Sequence, residues 1–422
     1  MTITAKSRAD SVQKVTSPGG IEAWLVEDYA VPLVAFEFAF HGGTTQDEPA
    51  KAGAVSMLSA LLDEGAGDLN ADAFHRAMDD KAVEISFSAD RDTFHGRMKT
   101  LVRHLDDAAG LLRLATCEAR VDEDAIERVR SQMIAGLKRE AKDPDALVGK
   151  AWREAAFGAH PYALASRGTL ETVPAITRDD LIALRTRIMA RSNLKIAVVG
   201  AISAATLAPL LDRVFGALPQ KAALTPISDV EMGGLGTRKI IDLDVPQSTI
   251  RFGLPGLKRS DQDFWPAVVV NHILGGGVFS ARLFREVREK RGLAYSVHSQ
   301  LVTFDHTALF SGGTSTKNER AAESLSVIEE EIEKLATEGP SAEELDKAQK
   351  YLIGSYALRF DTSTKIAGNL VHLQLENEPV TFLDERNGHI AAVTLEDTKR
   401  AAKRLFAGKK LLVAAAGRPT GM

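Results

Sequence analysis

Residues 193–200 read Asn-Leu-Lys-Ile-Ala-Val-Val-Gly, and residues 409–417 read Lys-Lys-Leu-Leu-Val-Ala-Ala-Ala-Gly. Each is a short apolar run closed by glycine, the pattern of a strand that stops at a turn. Gly200 and Gly417 stand 217 residues apart. A second pair of landmarks repeats at almost the same offset. Asp122-Glu-Asp-Ala-Ile-Glu opens a helical pattern through Leu137, and Ser341-Ala-Glu-Glu-Leu-Asp opens one through Tyr356, 219 residues on. Both openings put acidic side chains in the first turn, where they complement the helix dipole. Two independent landmarks at nearly one spacing point to a duplicated chain.

Working outward, each half follows one order. Alternating strands come first, Ile21 to Val26 and Leu33 to Phe40, then Lys239 to Leu243 and Ser248 to Leu254. A helix follows, Gly53 to Leu62 in one half and Phe264 to Leu274 in the other, then a strand pair and further amphipathic helices. The second half's pair is Ser296 to Val302 with Thr307 to Ser311. Strands followed by helices within one unit predict an α+β class, two homologous halves, each a β-sheet with helices packed on one face. Leu218 to Thr237 carries Pro219, Pro226, Gly233, Gly234 and Gly236 with little periodicity, and reads as a linker. The expected division is 1–217, a linker 218–237, and 238–422.

Composition narrows the function classes. A chain of 422 residues has room for two or three domains, each able to bury its own core. With 52 basic against 57 acidic residues, the formal net charge of −5 argues against bulk attraction to nucleic acid. No apolar run approaches the ~18 residues of a membrane helix. The single cysteine, Cys117, excludes an internal disulfide and a thiolate-rich metal site. Met1 to Val15 is polar and charged, with no segment like an export signal. Taken literally that reads as cytoplasmic; a mature chain already stripped of a signal reads as periplasmic.

The most informative stretch is Leu274-Gly-Gly-Gly-Val-Phe-Ser-Ala-Arg-Leu-Phe-Arg-Glu-Val-Arg-Glu-Lys-Arg-Gly-Leu-Ala-Tyr-Ser296. It resembles the C-terminal-half signature of the pitrilysin/insulinase-type metallopeptidases, the inverted zincins that include mitochondrial processing peptidase. Phe40-His-Gly-Gly-Thr-Thr45, Phe157-Gly-Ala-His-Pro-Tyr162 with Gly168-Thr169, and the strand to Gly200 resemble further landmarks of that family, in order, across nearly the whole chain. The resemblance implies the processing-peptidase-like metallohydrolase fold.

Active members of the family carry H-x-x-E-H on the helix after the first hairpin. Histidines at i and i+4 share a helix face and can grip one zinc, while the glutamate reaches its water as general base. A third ligand, a glutamate, comes from a later helix. Here Ser56 and Ala60 stand at the histidine positions, Ser59 at the glutamate and Gly136 at the third ligand. None of the ten histidines forms an H-x-x-x-H or H-x-x-E-H pair elsewhere. Hydroxyls and a methyl do not hold zinc, so no metal and no cofactor is expected in this chain.

The family's other half-site is an arginine and a tyrosine seven residues apart, which map to Arg288 and Tyr295. The resemblance implies that they bind the substrate backbone and stabilise the oxyanion, consistent with a guanidinium fork and a phenol donor. From pattern alone, Arg288 in a charged run reads as a solvated helix face and Tyr295 as strand packing. Gly292 between them ends the helix. Arg282, Arg285 and Arg291 read as surface or groove charges. Gly275, Gly276 and Gly277 lack P-loop spacing; they read either as a substrate-lining loop, similar to that of the noncatalytic processing-peptidase subunit, or as a flexible connector. Ser56 and Ser59 lack a nucleophile elbow and read as packing, His160 as a structural turn residue, and Glu329 to Glu333 as a solvated helix face.

The resemblance therefore implies a noncatalytic subunit, inactive alone, that completes the active site of a paralogous H-x-x-E-H partner. That partner would hold the zinc, and the heterodimer would enclose a chamber for peptide or unfolded polypeptide. The alternatives are a non-proteolytic scaffold, like the core subunits of the respiratory bc1 complex, or a peptide-binding protein that adds a strand to a sheet edge.

Overall fold

The computed structural model describes residues 7–422; the first six, part of the segment on which the compartment reading rests, lie outside them. The strands that build the two main sheets are β1 (Val12–Thr16), β2 (Glu22–Glu27), β3 (Leu33–His41), β4 (Glu84–Ala89), β5 (Thr93–Leu101), β6 (Leu194–Gly200), β7 (Arg238–Asp242), β8 (Gln247–Pro255), β9 (Ala294–Thr303), β10 (Ala308–Lys317) and β11 (Leu412–Gly417). The first sheet runs β1-β2-β6-β3-β5-β4 and the second β9-β10-β8-β11-β7. In each sheet one pair is parallel, β2 with β6 and β7 with β11, and its neighbours are antiparallel.

Read from that parallel pair, β2-β6-β3-β5-β4 and β7-β11-β8-β10-β9 are one topology used twice. The closing glycines match in conformation as well as in place. Gly200 has φ +146° and Gly417 φ +140°. A Cβ on Gly200 would lie 2.2 Å from the Leu33 carbonyl oxygen, and one on Gly417 2.6 Å from Ser248 Oγ. Only glycine turns the chain there without strain or collision.

The structure divides into two compact units. Of the described residues, the first contains 7–137, 165–226 and 356–386; the second contains 138–164, 227–355 and 387–422. This departs from the contiguous division 1–217 and 238–422, for a reason visible in the packing. In the first unit Phe36, Phe38 and Phe40 alternate onto the helix-covered core face of β3. Glu37 and Ala39, between them, belong to the other side of the strand, and the helix Ser363–Leu375 packs on this sheet, its Gln374 Nε2 donating to the Ile196 carbonyl (2.9 Å). In the second unit Ile250, Phe252 and Leu254 face a core shared with the helices Ala321–Glu338 and Leu395–Phe406. The helix Pro144–Phe157 lies on β8 and β11, with Trp152 over Gly253 and its Nε1 donating to the Leu412 carbonyl (3.2 Å). Each unit thus takes one helix from the sequence range expected to belong to the other.

Local chemistry explains most element ends. Ser341 and Glu344 form a reciprocal capping box on the helix Ala342–Gly354, and Asp143 with Pro144 opens the helix Pro144–Phe157. The expected helix Gly53 to Leu62 shrinks to Ala54–Ser59, because left-handed Gly53 (φ +96°) is its N-cap and Ala60 its C-cap. The strand pair of the second half is longer than expected, spanning 294–303 and 308–317. Residues 219–237 form no helix or strand. They are nonetheless held: Thr225 N donates to Gln46 Oε1 in the first unit, and Gly233 N to the Ala156 carbonyl in the second. Glu331 departs from the expected solvated face. It is buried, and accepts from Lys334 Nζ at 2.8 Å.

Candidate functional site

The helix in the zinc-site position is occupied by backbone chemistry. Ser56 Oγ donates to the Ser166 carbonyl (2.7 Å), and Ser59 Oγ to the Ser56 carbonyl (2.8 Å). Ala60 is an exposed C-cap. Gly136, on the helix Glu123–Glu140, has no atom within 4 Å of where a Cβ would stand. The residues at these four positions do not fit a zinc ion: two hydroxyls already donate to carbonyls, and the others present no ligand atom. Among the described residues, no group of three His, Cys, Asp or Glu side chains is placed to hold a metal.

The second unit assembles a different site from residues 272–296. The helix Phe264–Asn271 runs into a π-helical turn, His272–Gly276, and a second π turn spans Phe284–Glu289. Such turns are rare and are enriched at functional positions. Gly275 is not a flexible connector. It is buried, and a Cβ there would come 2.5 Å from Ser299 Oγ and 2.6 Å from Ser299 N, so the helix end lies directly on β9. Gly276 is exposed, and a Cβ on Gly277 would sit 2.8 Å from the His272 carbonyl oxygen. The triglycine run thus belongs to a tight turn, and Gly275 is set by strand contact.

Beyond the second π turn the chain reverses at Gly292 (φ +59°), whose N donates to the Arg288 carbonyl at 3.0 Å. β9 then begins with a bulge: Ala294 pairs with Thr316 and Val297 with Thr314, which sets two residues, Tyr295 and Ser296, against the single Ser315. Thr316 Oγ1 donates to the Leu293 carbonyl (2.6 Å) and Thr314 Oγ1 to the Ser296 carbonyl (2.9 Å), pinning both sides of the bulge. Tyr295 and Ser296 therefore both face outward, and Tyr295 is 82% exposed.

Arg288 and Tyr295 are together. The Arg288 guanidinium carbon lies 4.7 Å from the Tyr295 ring centre and 4.8 Å from the Phe284 ring centre. Phe279, 73% exposed, meets Phe284 edge-on at 5.2 Å. Cation–π contact with two rings orients the guanidinium without using its N–H donors. The neighbouring cations are employed elsewhere. Glu286, 8% exposed, accepts from Lys290 Nζ (2.8 Å), Arg291 Nη1 (2.9 Å) and Arg285 Nε (3.2 Å). Burial opposes its ionisation, but those hydrogen bonds outweigh it and hold the Glu286 carboxyl down at about 2. Arg282 forms a bidentate pair with Glu344, both bonds 2.7 Å, and donates to the Gly339 carbonyl; it is a structural clamp, not a groove charge. Among the described residues Arg288 alone of the run 282–291's arginines makes no hydrogen bond or ion pair.

Sequence reading missed Phe284 and Glu286. Phe284 precedes Arg288 by four residues, a spacing that brings helical side chains together, and could have been found on that ground. Glu286, one carboxylate serving three cations, had no sequence signal. A separate cleft of about 500 Å³ opens beside the π turns, lined by His272, Phe279, Arg285, Ser341 and Lys347 among others. Burial lowers the His272 imidazole's pKa, and its ring stacks on Tyr351 at 5.0 Å. His160, as expected, serves a turn: its Nδ1 accepts from Tyr162 N, and Nε2 meets the Ser228 carbonyl at 2.9 Å.

A duplicated α+β chain with a ligand-free helix at the zinc position and an exposed arginine–tyrosine pair is the arrangement expected of an inactive inverted zincin, and the comparisons with known proteins agree in kind. The model of the peptidase M16 inactive domain matches residues 175–352. The chain is 27% identical over 339 residues to a Helicobacter pylori protein named non-peptidase homolog YmxG, covering 80% of this chain and 78% of that one. It is 24% identical to a Bacillus subtilis protein named uncharacterized zinc protease YmxG, covering 94% and 96%. The crystal structure of a peptidase M16 inactive domain from Pseudomonas fluorescens superposes with a TM-score of 0.90 at 27% identity, covering 97% of this chain and 98% of that one. A Helicobacter pylori protease structure shares the fold, with a TM-score of 0.87 at 19% identity. The chain is thus similar, over most of its length, to inactive-domain proteins of the pitrilysin/insulinase-type (M16) peptidases. No helix among the described residues is long and apolar enough to cross a membrane.

Proposed function

We propose that this chain is the noncatalytic subunit of a two-chain zinc endopeptidase. It is inactive alone, and pairs with a paralogous H-x-x-E-H subunit that carries the zinc. The observation that carries this reading is an asymmetry within one chain. Ser56, Ser59, Ala60 and Gly136 offer nothing to a metal, while Arg288 is held between Phe284 and Tyr295 with its donors unspent. A surface kept only for packing has no need of an unpaired guanidinium set against a tyrosine that is 82% exposed. In the paired enzyme Arg288 binds a peptide carbonyl beside the scissile bond, and the Tyr295 hydroxyl donates to the oxyanion as it forms. Gly276 and Gly277 line the same chamber, with Gly275 fixing where that turn sits. The substrate is peptide or unfolded polypeptide, which a chamber closed by two chains can admit.

Co-expression with the paralogous chain tests the reading. The expected outcome is co-elution on size exclusion, peptidase activity only in the mixture, and about one zinc per heterodimer, held by the partner. Two chains that never co-elute, or a co-eluting pair without activity, would remove it. Activity-free co-elution would favour the scaffold alternative.

A further inference from the structure

On the second sheet, at the edge of the helix Pro144–Phe157, lies a shallow pocket of about 240 Å³. Its floor is one row of residues across three strands. Arg251 on β8 pairs with Gly313 on β10, and Gly313 pairs with His298 on β9. With no side chain at Gly313, the row forms a notch between a guanidinium and an imidazole. The rows on either side are small and polar, Thr249 with Ser315 (hydroxyls 3.2 Å apart) and Ser311 with Gln300.

Arg251 makes no hydrogen bond or ion pair among the described residues. A Cβ on Gly149 would lie 3.5 Å from its Nη1 and 3.2 Å from Arg153 Nη1, so two guanidinium groups converge over one turn of the helix. Burial disfavours the charged form of Arg251, and Asp145, the one carboxylate among the lining residues, offsets this without bonding to it. Burial and Arg251 together lower the pKa of His298, which leaves a neutral ring able to donate one hydrogen bond. A rigid donor fork with no bonded counter-ion, beside neutral hydroxyls and an imidazole, suits a carboxylate.

We propose that the Arg251–Gly313–His298 notch binds the carboxylate side chain of an acidic residue in the peptide substrate. This rests on the chamber reading above and adds a substrate class to it. His298 and Tyr295 are three positions apart on β9, about 10 Å at ~3.3 Å per residue. An extended peptide held at Tyr295 would therefore place its acidic residue about three positions from the scissile bond.

The test uses the reconstituted two-chain complex, stripped of zinc by chelation so that nothing is cleaved, and three fluorescein-labelled ten-residue peptides, identical except for a central Glu, Gln or Lys. Binding is followed by fluorescence anisotropy at roughly physiological salt, so that long-range attraction is screened. The Glu peptide is expected to bind about tenfold more tightly than the Gln peptide, the scale of one charge-assisted hydrogen-bonded pair. Arg251→Gln should abolish the difference and Arg251→Lys should keep part of it. Part of the Arg251 side chain reaches solvent although its guanidinium is desolvated, and it makes no hydrogen bond or ion pair among the described residues, so both variants should melt as wild type does. Equal binding of the Glu and Gln peptides by wild type, or a preference for Lys, overturns the notch and leaves the chamber reading standing. Failure to bind any of the three overturns both.

Discussion

The Arg288 guanidinium carbon lies over the Tyr295 ring, 4.7 Å from its centre, although a helix end, a left-handed glycine and a strand start separate them in the chain. Each helps to place the other. The ring restricts the guanidinium, and the guanidinium steadies a phenol that is otherwise 82% exposed. Phe284 closes the other side of the arginine at 4.8 Å. In the proposed role both groups act on one carbonyl, and this contact would hold them in register before substrate arrives, the kind of preorganisation that catalytic hydrogen bonds need.

This contact separates the roles of ring and hydroxyl. In the reconstituted two-chain enzyme, Tyr295→Phe keeps the ring on Arg288 and removes one oxyanion donor, so kcat should fall about 10²–10³-fold. Tyr295→Ala also releases Arg288, so KM should rise as well, and Arg288→Ala should likewise affect both parameters. Zinc content and heterodimer assembly should not change. Steady-state kinetics at matched zinc occupancy decide the matter, and wild-type rates in Tyr295→Phe would strip the hydroxyl of its role.

Acid should weaken the second unit through two carboxylates. Burial alone would raise the Glu344 pKa, but hydrogen bonds from Arg282 and from Ser341 lower it from 4.5 to about 2, and Glu286 is similarly depressed. For a group depressed on folding, the stabilisation is present above the unfolded pKa and disappears as pH falls toward the folded one. Stability should therefore decline between about 4.5 and about 2. Arg282→Ala should cost roughly 1.5–3 kcal/mol near neutrality and flatten the slope in that window. Urea unfolding at several pH values measures both, and an unchanged slope would show that the pair is not the source.

Two glycines singled out in the sequence should behave oppositely. Gly275→Ala drives a methyl to within 2.5 Å of Ser299 Oγ, which itself donates to Asn271 Oδ1. It should cost about 1–3 kcal/mol and disturb the strand that carries Tyr295. Gly136→Ala, in open space within a helix, should stabilise by ~0.5–1 kcal/mol and leave the activity of the complex intact. Thermal melts of the two variants give the comparison; a neutral Gly275→Ala would contradict the close packing.

Trp152 anchors the helix Pro144–Phe157 on a sheet built from residues more than eighty positions further along the chain. Trp152→Ala removes a ring lying over Gly253 and a hydrogen bond to Leu412, and should cost about 3–5 kcal/mol. Denaturant titration reads the loss. A cost below about 1 kcal/mol would mean that the helix adds little to the second unit.

Much of the architecture was already legible in one dimension, because the features that carry it are local. Strands closed by Gly200 and Gly417, and helices opened by acidic first turns, depend on near neighbours and on backbone angles that few residues tolerate. The missing zinc ligands were equally plain, since H-x-x-E-H is a spacing on one helix. The seven-residue step from Arg288 to Tyr295 carried meaning only through a family resemblance, as nothing local distinguishes that arginine from Arg285 or Arg291. Their separation was decided in three dimensions, where Glu286 takes up the neighbouring cations and leaves Arg288 to Phe284 and Tyr295. The membership of the two units was also beyond the one-dimensional pattern. An amphipathic helix buries its apolar stripe against whichever sheet face fits it, and the periodicity of residues 144–157 does not say whose face that is. The notch at Gly313 has the same origin: Arg251 and His298 lie 47 positions apart, and strand register alone sets them on either side of a residue with no side chain.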